Sequence, residues 1–273
     1  MAFGCGQCLP CRINRRRLWT HRIILEALKH ETSSFITLTY APENYPHDGS
    51  LVPKHLQAFI KRLRNYFPSQ SVRYYSVGEY GDETERAHYH IALFGCGPEH
   101  ADIITSCWSL GIVHVGTLTL ESAQYVAGYV TKKLTSKDDE RLGGRHPEFA
   151  RMSNRPGIGA GALDELEDFL YTDIGAKLLL QTKDVPLFLR HGGKTLPLGR
   201  YLRAKLRERM EIPKPPVEAY HENEESKKMS AMFEASEART RWQKLATYQK
   251  VSKPRVRSIE GRYKIFNSRK KKL

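Results

Sequence analysis

Two histidines separated by a single residue are the clearest chemical signal in this sequence. His88 and His90 flank Tyr89 in a segment that is predicted to be a strand, and alternate side chains of a strand point to the same face. Both imidazoles can therefore reach one metal ion, while Tyr89 points away. Glu79, at the end of the preceding predicted strand, could add a carboxylate. Such a set suits Mg²⁺ or Mn²⁺ acting on a phosphate, although zinc or iron accepts similar ligands.

Glu79 can join the two histidines only if the strands pair in a suitable register. Facing residues of an antiparallel pair share one side of the sheet. We therefore expect Glu79 opposite His88 or His90. A position opposite Tyr89 would defeat the site unless a bulge redirected the carboxylate.

A second chemical signal is a pair of tyrosines, Tyr125 and Tyr129, one helical turn apart. A tyrosine hydroxyl can attack a phosphodiester and hold the product covalently, but its pKa of about 10 requires help from a metal or a base. Lys132 and Lys133 follow, and a cation there could stabilise charge on the phosphate. Both patterns also occur in purely structural helices, where tyrosine packs in the core and lysine is favoured at the C-terminus.

The elements that must position these residues are predicted between residues 35 and 134. The patterns indicate strands at 35–40, 72–79, 88–94 and 112–118, a helix behind Pro53, and a helix around 103–108 that ends at Gly111. The order β-α-β-β-α-β predicts a ferredoxin-like, split-βαβ fold of the α+β class, an antiparallel sheet with helices on one side. A further helix, 121–134, carries the tyrosines.

The chain as a whole is expected to comprise four segments. They are a Cys-containing basic N-terminal segment (1–34), the core (35–135), an accessory part of the same region (136–212), and a C-terminal extension (213–273). The extension combines a Pro linker, a charged helix and a basic tail. Its last twenty residues are poor in core-forming side chains, which predicts disorder until a partner binds.

Charge is concentrated at the two ends of the sequence. The chain has a net charge of +14, of which residues 241–273 supply +11 and residues 1–40 supply +4. Basic ends on a near-neutral body predict nucleic-acid binding, although a solvated tail is the alternative. The candidate contacts are Arg15, Arg16, Arg17, Lys270, Lys271 and Lys272.

Composition excludes several protein classes. The mean hydropathy is −0.54, and no window approaches the roughly 18 apolar residues of a bilayer span, so we expect a soluble protein. The first residues lack a signal-peptide pattern. Five cysteines, an odd number, favour a reducing compartment over a disulfide scaffold.

Three of the cysteines lie close together. Cys5, Cys8 and Cys11 could hold a structural zinc ion if the fold supplied a fourth ligand, for which His21, Cys96 and Cys107 are candidates. An iron–sulfur cluster is a more distant option, and reduced thiols are the simplest alternative. The segment 192–195 ends like a phosphate-binding loop but lacks the first glycine, so no helicase motor is predicted.

Three segments in order resemble the motifs of HUH endonucleases. They are Phe35-Ile-Thr-Leu-Thr, His88-Tyr89-His90, and the run from Tyr125 to Lys133. The paired tyrosines resemble the rolling-circle initiators of microviruses, and Cys5-Gly-Gln-Cys8-Leu-Pro-Cys11-Arg with Trp19 resembles their gokushovirus branch. The segment Ser153-Asn-Arg-Pro-Gly-Ile-Gly is also similar to that group. The resemblance covers roughly residues 5–200.

The resemblance implies a metal-dependent nick in single-stranded viral origin DNA. One tyrosine would form a 5′-phosphotyrosyl link and free a 3′ hydroxyl, and the second would later release a unit-length circle. A host helicase and a host polymerase would be partners, in the cytoplasm of a bacterium and away from any membrane. Two alternatives stay open: a relaxase or transposase with the same chemistry, and a non-catalytic DNA-binding protein.

Overall fold

The computed structural model describes residues 8–128, 138–191, 193–214 and 224–270. It is a mixture of helices and antiparallel strands, as the α+β prediction requires. In chain order the elements are α1 (Leu9–Ala27), β1 (Ser33–Thr39), α2 (Pro53–Tyr66), β2 (Arg73–Tyr80), β3 (Ala87–Phe94), α3 (Ala101–Cys107), β4 (Val113–Thr117), α4 (Leu120–Gly128), β5 (Phe149–Met152), α5 (Leu163–Leu170), α6 (Asp173–Thr182), β6 (Phe188–His191), β7 (Lys194–Pro197), α7 (Gly199–Arg209), α8 (Glu224–Ala235) and α9 (Arg241–Lys270).

The chain divides into two compact units. One comprises residues 15–212 and contains both sheets. The other comprises residues 1–14 together with 213–273, and its described part includes α8 and α9. Among the described residues, no helix combines the length and the apolar character that a membrane crossing requires.

The predicted disorder of the last twenty residues is wrong as far as Lys270. Helix α9 continues through this region with Pro254 inside it. Lysine and arginine are good helix formers, so a basic composition that is poor in core residues is still compatible with a helix.

The main sheet has five strands in the order β4-β1-β3-β2-β5, all paired antiparallel. The four predicted strands form its first four positions. Strand β5 is an addition, paired with β2 at the edge. Its four residues contain no alternating run of β-branched side chains, so the sequence pattern did not indicate a strand there.

Helices α2 and α3 cover one face of this sheet, in agreement with the predicted split-βαβ arrangement. Their side chains pack with those of the central strands in one apolar cluster, which includes Ile36, Leu38, Leu56, Phe59, Tyr89, Ile91 and Trp108. Burying each of these side chains contributes about 1.5–3 kcal/mol.

The opposite face is also covered, which the expectation of helices on one side did not include. There α1 and α4 pack on the strands through a second cluster that contains Ile23, Tyr75, Ala92, Ala123 and Val126. Small residues such as Ala123 and Ala127 give α4 a weak apolar stripe, so the sequence did not reveal which face it covers.

Residues 163–212 form a third apolar cluster beside this sheet. Leu163, Leu170, Leu202 and Leu206 are buried in it. Strands β6 and β7 pair as a hairpin, and Lys194 begins β7. The Lys194-Thr195 segment is therefore part of a strand, in keeping with the rejection of a phosphate-binding loop.

Candidate active site

The β2–β3 hairpin brings Glu79 and the two histidines together. Glu79 lies directly opposite His88 in the strand register, which satisfies the pairing condition. Its Oε1 atom is 2.7 Å from Nε2 of His88 and 3.2 Å from Nε2 of His90. The three donor atoms all lie within 4.8 Å of one another. Elsewhere in the described ranges, no other three His, Cys, Asp or Glu side chains are grouped in this way.

The far nitrogen of each imidazole is held by a neighbouring oxygen. Nδ1 of His88 is 2.9 Å from the carbonyl oxygen of Arg86, which can only accept, so Nδ1 carries the proton and Nε2 presents its lone pair. Nδ1 of His90 is 2.9 Å from Oγ1 of Thr37. Oxygen partners of this kind orient metal-binding imidazoles. The donor set therefore fits a divalent metal ion.

Tyr89 anchors the strand between the two histidines. It is fully buried on the opposite face of the sheet, as the strand parity predicted. Its hydroxyl lies 2.8 Å from the hydroxyl of Tyr40 and accepts a hydrogen bond from the backbone N–H of Val52 at 2.9 Å. These contacts restrain β3, so the imidazoles on the other face are presented from a rigid backbone.

Gly78 has a similar role beside Glu79. A β-carbon at this position would lie 2.9 Å from the ring of Phe149. Glycine therefore allows the β5 side chain to pack across β2 without displacing the strand that carries Glu79.

Tyr125 lies next to the metal-binding group. Its ring is 5.1 Å from that of His90 at an angle of 83° and 6.0 Å from that of Phe35. Phe35 in turn stacks on His90 at 5.6 Å. The Tyr125 side chain is 38% exposed, so a large substrate can approach it. Tyr129, Lys132 and Lys133 lie outside the described residues.

The N-terminal arginines of the charge prediction have different surroundings. Nε of Arg16 donates to the carbonyl oxygen of Gln124 at 3.0 Å, which places this arginine beside the helix of Tyr125. Arg17 donates to the carbonyl oxygen of Thr195 at 2.6 Å, and Arg15 is exposed. Lys270 ends α9, and Lys271 and Lys272 lie outside the described residues.

The proposed zinc ligands cannot be assembled from the described residues. Cys5 lies outside them, while Cys8 and Cys11 are at the start of α1. Of the suggested fourth ligands, Cys96 and Cys107 are buried among apolar side chains. Burial raises the pKa of the Cys96 thiol to about 12 and also raises that of Cys107. The zinc site stays a prediction.

Sequence reasoning missed two residues that shape the site, Phe35 and Thr37. Both lie on β1, and Thr37 is directly opposite His90. A signal was available, because residues 35, 37 and 39 alternate onto one face of a strand. What the sequence does not contain is the pairing of β1 with β3.

Comparison with known proteins identifies relatives of this region. Residues 33–134 match the family model of the replication-associated protein ORF2. The match includes every element of the site. No solved structure matches the chain.

Three curated relatives are phage proteins. The chain is 32% identical to replication-associated protein ORF2 of Spiroplasma virus 4, over 62% of this chain and 59% of that protein. It is 35% identical to replication-associated protein VP4 of Bdellovibrio phage phiMH2K, over 51% of each. It is 30% identical to replication-associated protein ORF4 of Chlamydia phage 1, over 47% of this chain and 38% of that protein.

The chain thus spans less than two thirds of the length of each relative. The family model and the three phage proteins agree with one another, and the conclusion they carry is that residues 33–134 belong to the family of the replication-associated protein ORF2.

Proposed function

We propose that this protein initiates rolling-circle replication of a bacteriophage genome by nicking single-stranded origin DNA and later rejoining it. The observation that carries the proposal is the contact between Tyr125 and His90, whose rings are 5.1 Å apart. It sets a phenol, which can act as a nucleophile, against a group of metal-binding side chains. The names of the phage relatives support the role in replication.

Glu79, His88 and His90 would hold a Mg²⁺ or Mn²⁺ ion. When bound, the ion supplies a Lewis acid that polarises the scissile phosphate. Thr37 and the carbonyl oxygen of Arg86 keep the imidazoles oriented. Phe35 packs on one face of His90, which limits the water that reaches the imidazole from that side.

Cleavage exchanges one phosphate ester for another. The phenol oxygen of Tyr125 attacks the phosphorus and loses its proton, so that a 5′-phosphotyrosyl bond forms while the bond from phosphorus to the 3′ oxygen breaks. The 3′ oxygen takes up a proton and leaves as a hydroxyl. Lys132 or Lys133 would stabilise the charge that develops on the phosphate.

Rejoining reverses the exchange at a second tyrosine. Tyr129 would cut the regenerated origin in the same way. The 3′ hydroxyl freed by this second cut attacks the first phosphotyrosine, restores a phosphodiester and returns the proton to Tyr125. A host helicase and a host polymerase would supply unwinding and synthesis between the two cuts, in the bacterial cytoplasm.

A covalent-adduct assay tests the proposal. Labelled single-stranded origin DNA is incubated with the protein and Mn²⁺, and the products are separated under denaturing conditions. We expect an adduct from the wild type, a reduced yield from Tyr125→Phe or Tyr129→Phe, and none from the double variant, because phenylalanine has no attacking oxygen. Tyr66→Phe is the matched control, since Tyr66 is exposed at the end of α2, across the sheet.

Two results would contradict the proposal. An adduct from the Tyr125→Phe, Tyr129→Phe double variant would remove both residues from the role of nucleophile. A wild-type protein that binds DNA but forms no adduct with Mn²⁺ or Mg²⁺ would instead be a non-catalytic DNA-binding protein. A relaxase or transposase would differ in the DNA sequence that it cuts.

A further inference from the structure

A cavity of about 560 Å³ lies at the end of the β2–β3 hairpin opposite the metal-binding group. It forms where the end of α2, the start of β2 and the residues after β5 meet. Three arginines line it, Arg64, Arg73 and Arg155, together with the rings of Phe67 and Tyr74. No carboxylate is among the described residues that line it. Its volume is within the usual range for ligand sites.

Arg73 has a structural role in this cavity. Its guanidinium pairs with the carboxylate of Glu26, so its charge is balanced. It also donates to the carbonyl oxygens of Arg155 and Pro156, at 3.3 Å and 2.6 Å. Arg73 thereby fixes the backbone that presents Arg155.

The charges of Arg155 and Arg64 are not balanced by acidic side chains in the described part of the chain. Arg155 is exposed, and its guanidinium forms no hydrogen bond or ion pair with the residues that the structure describes. Nε of Arg64 donates to the carbonyl oxygen of Val72 at 3.1 Å, and its Cζ atom lies 5.7 Å from the ring of Tyr74. The cavity therefore presents two cations beside aromatic rings.

We propose that this cavity is a binding subsite for single-stranded DNA, which seats a nucleotide at a distance from the scissile phosphate. A guanidinium fork matches the geometry of a phosphate group. Aromatic rings stack on bases with little regard to sequence. Asn154 and Gln70, two exposed amides in the lining, can donate to and accept from base edges. A small anion would need the arginines alone, whereas the rings call for a base.

The position of the cavity suits one continuous strand of DNA. The inference rests on the proposed function here, because the nick defines where the substrate must also lie. Tyr74 and Glu79 are five residues apart on β2, a separation of roughly 17 Å at the rise of a strand. A segment within the site size of about 4–16 nucleotides found in single-strand-binding folds can reach both ends.

Salt-dependent binding tests the subsite. The full chain is titrated into a labelled oligodeoxythymidylate of about 16 nucleotides, and the affinity is followed by anisotropy at increasing salt. We expect Arg155→Ala to lower the affinity about fivefold or more and to reduce the salt slope by about 0.7, the value for one phosphate of a single strand that is no longer neutralised. Arg155→Lys should restore the slope, since the charge returns.

Lys177→Ala is the matched control. Lys177 is an exposed residue of α6, so this variant loses the same charge from a surface outside the cavity. The guanidinium of Arg155 has no hydrogen-bond or ion-pair partner among the described residues, and its removal should leave the thermal unfolding midpoint unchanged. Equal effects of Arg155→Ala and Lys177→Ala would overturn the proposal, because the weaker binding would then reflect net charge only.

Photo-crosslinking gives a second, independent readout. A strand that carries 5-iododeoxyuridine should crosslink to peptides that contain Phe67 or Tyr74, and thymidine monophosphate in excess should compete poorly, because it lacks the rest of the strand. Crosslinks confined to other peptides would overturn the subsite. An intact adduct reaction with unchanged binding by Arg155→Ala would refute the subsite alone, whereas a wild type without adduct but with Arg155-dependent binding would refute the nickase alone.

Discussion

At the scale of single residues, the site depends on side chains that hold other side chains in place. Oγ1 of Thr37 lies 2.9 Å from Nδ1 of His90, and Phe35 stacks on the same ring. Neither residue belongs to the three that could bind a metal. Without them the His90 ring could rotate about its side-chain bonds, and its Nε2 atom would no longer be directed at Glu79.

The hydroxyl of Thr37 should therefore matter for metal affinity. Thr37→Val keeps the shape of the side chain but removes the partner of Nδ1. We expect Mn²⁺ binding to weaken by about 10- to 100-fold, the usual cost of losing such a partner, as measured by isothermal titration calorimetry.

Thr39→Val is the control for this substitution. Thr39 is on the same strand and the same face, but its hydroxyl donates to the carbonyl oxygen of Ile112. If both variants bound Mn²⁺ equally well, the hydrogen bond to His90 would have no part in metal affinity.

At the scale of elements, the β6–β7 hairpin is attached to α1 through a buried histidine pair. His21 is fully buried; its Nδ1 donates to the carbonyl oxygen of Pro197 at 2.8 Å, and its Nε2 lies 2.9 Å from Nε2 of His191. Burial, the largest cause, lowers the pKa of His21 to about 4, and it also lowers the pKa of His191. His21 is therefore neutral near pH 7, and its Nε2 can accept from His191.

Acid should weaken this attachment. The pKa of His21 is 6.5 when unperturbed and about 4 in the fold, so between these values the unfolded chain binds a proton that the folded chain does not. Stability then rises with pH in this window. A shift of this size corresponds to about 3 kcal/mol of unfolding free energy, lost as the pH falls from about 6.5 to about 4.

Urea unfolding at a series of pH values measures the effect. His21→Gln retains a donor for Pro197 but cannot be protonated, so its unfolding free energy should depend less on pH in the same window. His191 contributes in the same direction, which leaves part of the slope in place. An identical slope for the variant and the wild type would show that His21 is not responsible.

At the scale of the whole molecule, charge and chemistry belong to different parts of the chain. Residues 241–273 carry 12 Lys and Arg and one acidic residue, and α9 contains most of them. The metal-binding group and Tyr125 belong to the unit of residues 15–212. Binding of a polyanion and cleavage of one phosphate should therefore be separable.

Deletion of residues 241–273 tests this division of labour. We expect weaker binding of single-stranded DNA and a salt slope that falls by about 0.7 for each phosphate that the deleted cations had neutralised. Adduct formation on a short oligonucleotide at saturating concentration should continue, because the ligands and Tyr125 are retained. Loss of the adduct even at saturation would place part of the catalytic machinery in the C-terminal extension.

The sequence by itself determined the elements and the chemical types at the site. Alternation identified the four strands of the core, and the spacing behind Pro53 identified α2, because these patterns depend on neighbours a few residues apart. The parity of a strand was enough to put His88 and His90 on one face. Composition likewise located the charge at the ends of the chain, although it wrongly predicted a disordered tail in place of α9.

Only the tertiary structure decided how these parts meet. A shift of one residue between β2 and β3 would have turned Glu79 away from His88, and no local pattern selects that register. The packing of α4 against the sheet brought Tyr125 to His90, and the pairing of β5 with β2 created a cavity lined by residues from 64 to 155. Such contacts join residues far apart in the chain, and it is the fit of packed surfaces that selects them.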